Sequence, residues 1–592
     1  MGEYTQGNDP RNDKQMHISS LVLRSLCLLL IVFIPAHGLG AGDAGNTGYD
    51  ILVVAGIITD AQKKPVKDAE LSFFLNDQKV ELKEELTSLK GGRYEAELSF
   101  PRGTLPDAKI EIEVWKPSYK NSDRIQFTHI LKEKDDGAGI TYFLAHQDVS
   151  LTRAITPGFW VAAIVLLVVY ALIAFELMHR TLAAFLGAAL VLTVTYTAGT
   201  FFPEYRIISF EDARQAIDMN VIFLLMAMMI IVGVMKKTGV FQWLAYKAYQ
   251  IARGNVIILA SILMFVTAVA SAFLDNVTTM LLIIPVTIEI ALTLRVNPIA
   301  FLLPEVFASN VGGTATLIGD PPNIMIGSYA GLTFMDFVKN LTVICFICLI
   351  VTIIYFVWWY KKDYLQAKVD DIEGTIRKLR EEYQITNKKL LIQSLVILSI
   401  TIFLFIVHGT LKMVPSIAAL IGASLLVVIS RENIVEMLEK EIEWPTLIFF
   451  MMLFIVVAAA EHTGLIQIIA DWVRDMSRGS LVIAVIMILL VSAIASAIID
   501  NIPFTATMLP IVAYLTEVIP GAQGGVLWWA LALGACMGGN GTMIGASANV
   551  VTVGMAERTG YPISFMEYLK AVAIPTVITV LLCMVWLLAV EI

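Results

Sequence analysis

Runs of about twenty apolar residues recur from residue 158 onward, and a run of that length crosses a hydrocarbon core as one helix. Such segments read at 158–176, 181–200, 218–235, 255–274, 276–293, 299–327 and 341–360. A charged stretch from Lys361 to Lys389 follows, read as a solvent-exposed helical linker. A second set reads at 391–409, 414–430, 444–460, 481–499, 501–518, 525–553 and 568–590. Over all 592 residues 57% are hydrophobic and 16% charged, against roughly 45–50% and about 25% in soluble domains. The excess calls for lipid as solvent. A net charge of −9 and the absence of a basic stripe argue against a nucleic-acid partner.

The second set copies the first. Asp275-Asn276 recurs as Asp500-Asn501, a shift of 225 (500 − 275). The same shift relates Thr238-Gly239 to Thr463-Gly464, Arg253-Gly254 to Arg478-Gly479, Ser271-Ala272 to Ser496-Ala497 and Pro285 to Pro510. After one extra residue, Gly312-Gly313, Thr316, Gly319 and Asn323 match Gly538-Gly539, Thr542, Gly545 and Asn549. Duplications of this kind are typical of secondary transporters. With 255–293 as a re-entrant hairpin, each copy has five crossings and one hairpin, so the second lies upside down; two full crossings in place of the hairpin is the alternative. His179-Arg180, Lys236-Lys237, Arg295, Lys361-Lys362, Arg431 and Lys570 then fall on the cytoplasmic side, as the positive-inside rule asks, while Arg474 and Arg478 fall outside.

Residues 1–42 carry a polar start with Lys14 and Arg24, a short apolar run from Leu26 to Pro35 and small residues after it, and read as a signal peptide or N-terminal anchor. Residues 48–151 alternate like strands, at Ile51–Ile58, Glu70–Leu75, Tyr94–Phe100 and Lys109–Val114, with turn chemistry at Lys64-Pro65, Gly91-Gly92 and Pro101-Arg102-Gly103. The run Gly56 to Asp60 followed by Pro65 to Leu71 resembles carboxypeptidase-regulatory-like β-sandwich domains, which implies a fold and no activity. His129 and His146 are scattered there and form no catalytic constellation. Cys345 and Cys348 resemble a CxxC, but they sit in an apolar span with no His or Cys nearby in sequence, and read as buried small side chains.

An aspartate in the middle of a bilayer costs about 2.5–3.5 kcal/mol on insertion scales, and here that cost recurs at equivalent positions. Around Asp275-Asn276 and Asp500-Asn501 lie hydroxyls including Thr279 and Thr505. Such oxygens suit a hard cation, and a carboxylate can carry a proton. Each Asp can also cap the half-helix that follows, although a cap alone needs no charge. The second motif runs from Asn310 through Gly312, Gly313, Thr314, Thr316 and Asp320-Pro-Pro to Asn323, echoed by Gly538 to Asn549 with Asn540 and Thr542. Its glycines permit φ > 0 and close approach, and Pro321-Pro322 break the helix. The Gly-rich run lacks the Gly-Lys-Ser/Thr ending of a P-loop. Glu305 is a further intramembrane acid. The segments 241–253 and 466–478 read as interfacial helices.

With these paired motifs the region from 158 to the end resembles the ion transporter superfamily of dicarboxylate/sodium symporters, arsenite permeases and NhaD-type antiporters, closest to its pink-eyed-dilution (P protein) branch. The resemblance implies a scaffold and a transport domain moving as an elevator, in a homodimer. In the dicarboxylate symporters the hairpin tips carry Ser-Asn-Thr, which bind sodium and substrate carboxylates. Here Asp275 and Asp500 replace the serines, and Val277 and Ile502 the threonines, so a dicarboxylate would meet two extra negative charges.

The expected fold is an all-α polytopic membrane protein with two inverted repeats (158–360 and 391–592) and re-entrant hairpins, a cytoplasmic linker at 361–390 between them, and a small extracytoplasmic β-sandwich domain in front. The expected function is sodium/proton antiport at the plasma membrane, with Na+ or H+ as coupling ion and no cofactor. The rivals are transport of an anion or oxyacid such as arsenite or a citrate-like carboxylate, and a ligand-sensing channel. No nucleophile–base pair or metal cluster in the membrane part suggests an enzyme.

Overall fold

In a computed structural model, residues 49–591 are described except 61–64, 67–68, 83–85, 90, 106–107, 117–118, 121, 128–129, 136–139, 153 and 368–371. The signal or anchor expected over 1–42 lies outside the described residues, as does His129. The chain divides into two compact units. One runs to Trp115 and takes in Asn121–Leu151; the other holds Lys116–Lys120 and Thr152–Ile592.

The first unit is built on two five-stranded sheets among the described residues. Strand β1 (Tyr49–Asp60) pairs antiparallel with β5 (Arg93–Pro101) and parallel with β9 (Ile140–His146) and β10 (Val149–Leu151), and β9 pairs with β8 (Ile130–Asp135). In the other sheet β2 (Glu70–Leu75) pairs with β3 (Gln78–Lys79), β4 (Leu86–Thr87) and β6 (Ile110–Trp115), and β6 with β7 (Ile125–Gln126). The period-two pattern that marked these segments is the pleat itself: Leu52, Val54 and Ile58 of β1 are buried, as are Tyr94, Ala96, Leu98 and Phe100 of β5. Gly92, in the left-handed region at φ 71°, turns the chain into β5 where a Cβ would strike the Ile58 carbonyl. Burial and the charge of Asp148 push the Tyr94 phenol above its usual range, so it stays a donor to the Gln147 carbonyl at 2.5 Å.

The second unit is helical. Its main helices are α1 (Pro157–Ala174), α2 (Arg180–Tyr196), α3 (Met219–Lys236), α4 (Val240–Ala252), α5 (Val256–Phe273), α6 (Asn276–Thr293), α7 (Ile299–Thr314), α8 (Pro321–Ala330) and α9 (Phe334–Trp359). After α10 (Ile372–Glu382) come α11 (Lys388–Val407), α12 (Pro415–Ser430), α13 (Trp444–His462), α14 (Leu465–Ser477), α15 (Leu481–Ile498), α16 (Asn501–Val518), α17 (Val526–Gly538), α18 (Ser547–Arg558) and α19 (Phe565–Trp586). Ten helices among the described residues are long and apolar enough to cross a membrane. The segments 299–327 and 525–553 are each two helices, broken where Gly and Pro or Ser-Ala stand.

The sequence shift reappears in the helix boundaries. Helices α4, α5 and α6 start at 240, 256 and 276, and α14, α15 and α16 start 225 residues later at 465, 481 and 501. Their caps match too. Gly239 and Gly464 are left-handed before α4 and α14, and Arg253 and Arg478 are left-handed after them.

The stretch 361–390 is helical in part, yet one face of it is not exposed. Tyr364, Leu379 and Tyr383 are buried in one cluster with α4, α5, α6 and α7. The Tyr364 hydroxyl donates to the Ala300 carbonyl at 2.6 Å, Tyr383 donates to Glu289, and Thr386 N–H to the Thr238 carbonyl at 3.0 Å. A charged composition hid three well-spaced apolar anchors. Cys345 and Cys348 also acquire neighbours that sequence distance concealed, because α9 packs against α19 and brings Cys583 within reach of Cys348. All four described cysteines are buried and free, and no group of acids, His or Cys among the described residues could hold a resident metal ion.

Candidate functional site

The two hairpins α5–α6 and α15–α16 turn at Leu274-Asp275 and Ile499-Asp500, where two non-helical residues separate the arms. Each Asp does cap its following helix. Asp275 accepts from Thr278 N–H at 2.9 Å and from the Thr278 hydroxyl, and Asp500 accepts from Ile502 N–H at 3.0 Å. Behind each tip lies the break of a discontinuous helix, between α7 and α8 or between α17 and α18.

The breaks are held the same way in both copies. Asn323 Nδ2 donates to the carbonyls of Thr314 (3.0 Å) and Thr316 (2.8 Å), and Asn549 Nδ2 to those of Gly539 (2.8 Å) and Thr542 (2.9 Å). Thr316 and Thr542 hydroxyls donate to the Ala272 and Ala497 carbonyls, each at 2.5 Å, which ties each break to its own hairpin. A broken helix in an apolar setting leaves carbonyls that cost several kcal/mol apiece when unpaired, and one carboxamide satisfies two of them. Asn323→Ala and Asn549→Ala should therefore each cost about 2–4 kcal/mol, as two buried acceptors lose their donor. Thermal unfolding in detergent should fall in both, and further for Asn549, which accepts from the Asn310 amide where Asn323 accepts from the weaker Cys536 thiol.

The glycines act by closeness alone. None of Gly312, Gly313, Gly319, Gly538, Gly539 or Gly545 has positive φ, so the φ > 0 use expected for them does not occur. A Cβ on Gly319 would lie 2.6 Å from the Gly313 and Ser271 carbonyl oxygens, and one on Gly545 2.6 Å from the Gly539 oxygen. Gly312 and Gly538 press in the same manner on the Ala268 and Ala493 backbone.

The structure brings most of the sequence-marked residues into one network. Asn276 Nδ2 donates to Asn310 Oδ1 at 3.0 Å, and Asn310 Nδ2 donates to Asn540 Oδ1 (3.0 Å) and Asn549 Oδ1 (2.9 Å). Carboxamides thus link the first hairpin tip to the second break. From the second tip Asn501 Nδ2 faces Asp320 at 3.4–3.5 Å, and Asp320 lies within electrostatic range of Asp275 and Asp500. Thr314 and Thr505 instead turn their hydroxyls onto the Asn310 and Asn501 carbonyls of their own helices. Thr279 Oγ1 and Asn540 Nδ2 are buried with no hydrogen-bond partner. The site thus holds three carboxylates, several amide and hydroxyl oxygens and an unpaired hydroxyl, in a setting that is buried except at part-exposed Asp275 and Thr542.

Four participants were not singled out from sequence. Asp320 and Asn310 stood inside the second motif, and the duplication carried the signal: their counterparts are Ala546 and Cys536, so they break the symmetry. Arg180, read as a topology-setting charge, places its Nη1 3.3 Å from Asp500 Oδ2 and donates to Ser547. Ser547 hydroxyl donates to Asp500 Oδ2 at 2.8 Å. Nothing in the sequence links Arg180 to a residue 320 positions away. Glu305 is buried elsewhere, 3.0 Å from the Thr287 hydroxyl on α6, and its counterpart is Leu531.

Comparison with known proteins adds four likenesses. The family described as citrate transporter (CitMHS) matches residues 170–534. An uncharacterized transporter of Mycobacterium tuberculosis is 42% identical over 428 residues, covering 72% of this chain and 97% of that one. The P protein of Homo sapiens is 34% identical over 509 residues, covering 73% of this chain and 59% of that longer protein. Among solved structures, the YdaH transporter of Alcanivorax borkumensis superposes with a TM-score of 0.50 at 13% identity, over 69% of this chain and 98% of that one, a likeness of fold.

Proposed function

The chain belongs to the citrate transporter (CitMHS) family of the ion transporter superfamily and is a multi-pass membrane transporter, and from that premise we propose that it exchanges sodium for protons by an elevator movement of two inverted repeats. The observation that supports this reading is the excess of acid at the centre: Asp275, Asp320 and Asp500 against, among the described residues, the guanidinium of Arg180. Three carboxylates with neutral oxygens around them favour a small hard cation, and carboxylates exchange that cation for protons. Asp275, Asn276, Thr279, Asp500, Asn501 and the carbonyls of the two breaks would hold the cargo.

The inverted arrangement draws support from the tips. Asn276 and Asn501 are buried against the helix breaks, where the turn of two full crossings would meet water. Each arm has 18 residues, about 27 Å at 1.5 Å per residue, so length alone fits either arrangement. The two sheets, with buried residues on alternate positions of β1, β5 and β9, fit the β-sandwich reading of the first unit. In this proposal that unit lies outside the cytoplasm and the protein works as a homodimer in the plasma membrane.

A second reading is transport of a carboxylate such as citrate. Arg180 favours it as a candidate anion contact, together with the description of the family. Proteoliposomes of the full chain with an internal pH dye separate the two. Sodium or lithium, added without carboxylate, should move protons outward. Silence with sodium, lithium and potassium, and proton movement with citrate, would replace antiport by carboxylate transport.

A further inference from the structure

The two hairpin tips are not equally free to take a cation. Asp275 makes no ion pair among the described residues, and its oxygens accept from neutral donors of its own helix start, the Thr278 N–H and hydroxyl among them. Asp500 is fully dressed: Oδ1 takes Ile502 N–H, and Oδ2 takes both Ser547 hydroxyl and the Arg180 guanidinium. Arg180 is the first residue of α2, which packs on α13. Its Nη2 lies 3.3 Å from the Thr446 hydroxyl of α13, and its guanidinium carbon sits 5.4 Å over the Phe449 ring. Glu443, at the entrance to α13, is a further charge within range of both Arg180 and Asp275. The guanidinium is therefore anchored on the α2–α13 side and reaches across to the α16 and α18 termini.

We propose that Arg180 is a built-in surrogate for the transported cation at Asp500, which the cargo must displace to load that tip. The inference rests on the cation reading of the site. An arginine cannot shed its charge at any accessible pH, so only withdrawal of the side chain frees the carboxylate. Withdrawal also cuts a tie between α2–α13 and the second hairpin. Loading and release of the hairpin are then one event, and a tip without cargo stays fastened. Among the described residues no such cation stands at Asp275, so the two tips load with unequal affinity.

The test uses the full chain in detergent, reading thermal unfolding against sodium concentration. Arg180→Gln removes the competitor and should lower the half-saturating sodium concentration about tenfold, the scale of a partly desolvated ion pair. Arg180→Lys keeps the charge and should stay within about threefold of wild type. A wild-type midpoint in Arg180→Gln, or a higher one, overturns the competition and makes the arginine a support for Asp500. Sodium-insensitivity of the wild type itself removes the cation reading and the competition with it. The pairing is checked apart from any ligand by the exchange Arg180→Asp with Asp500→Arg. The double variant should recover more than half of the unfolding temperature lost by the worse single variant, and no recovery overturns the proposal.

Discussion

Asp275→Asn should leave a folded protein whose sodium-driven proton flux is down by at least about 100-fold. Asparagine caps a helix as well as aspartate does, so the bond to Thr278 N–H survives and α6 keeps its start. What is removed is the charge. Loss of one partner from a buried charge contact costs roughly 2–5 kcal/mol, and on the antiport reading the proton-carrying group goes too. The measurement is initial proton flux in proteoliposomes, normalised to folded protein by size-exclusion chromatography. Near-normal flux in a folded variant would reduce Asp275 to a cap. Asp500→Asn differs in a way the structure dictates: it also strands the Arg180 guanidinium, so flux and unfolding temperature should fall together.

The largest stability effect is expected at Gly312 and Gly538. A methyl at Gly312 meets the carbonyl, carbon and Cα of Ala268, and one at Gly538 meets those of Ala493. These neighbours are backbone, so no rotamer change relieves the clash, and α7 must part from α5, or α17 from α15. Overpacking of side chains costs about 1–3 kcal/mol, and a rigid backbone partner places these two at or above that range. Gly312→Ala and Gly538→Ala should each yield little monodisperse protein. Gly554→Ala is the control, because nothing lies within 4 Å of its added methyl. There the gain in helix propensity, up to about 1 kcal/mol, should leave stability unchanged or raised. Equal yields for all three variants would mean that the helix crossings are looser than they look.

The duplication made much of this readable in advance. Helix positions followed from apolar length, the hairpin tips from Asp-Asn pairs, and the breaks from Gly and Pro, because each is a local consequence of backbone chemistry in an apolar setting. The symmetric half of the site is local in this sense: Asn323 and Asn549 bond carbonyls seven to ten residues away. The asymmetric half was not readable. Arg180 meets Asp500, and Asn310 meets Asn549, across more than two hundred residues, and such pairings depend on how the copies face each other. The rule that charges near span ends set topology even pointed Arg180 elsewhere. Comparing the copies for what differs, as well as for what agrees, would have singled out Asp320 against Ala546.

The stretch between the repeats has a mechanical consequence. Tyr364, Leu379 and Tyr383 are embedded in the cluster of α4 to α7, with Tyr383 bonded to Glu289 on the first hairpin's own second arm. On the elevator reading, a segment seated that way would travel with the hairpin as a passenger. Its many charged residues give dyes and spin labels a foothold beyond the apolar helices, so an elevator stroke would be timed from a handle that never touches the cargo.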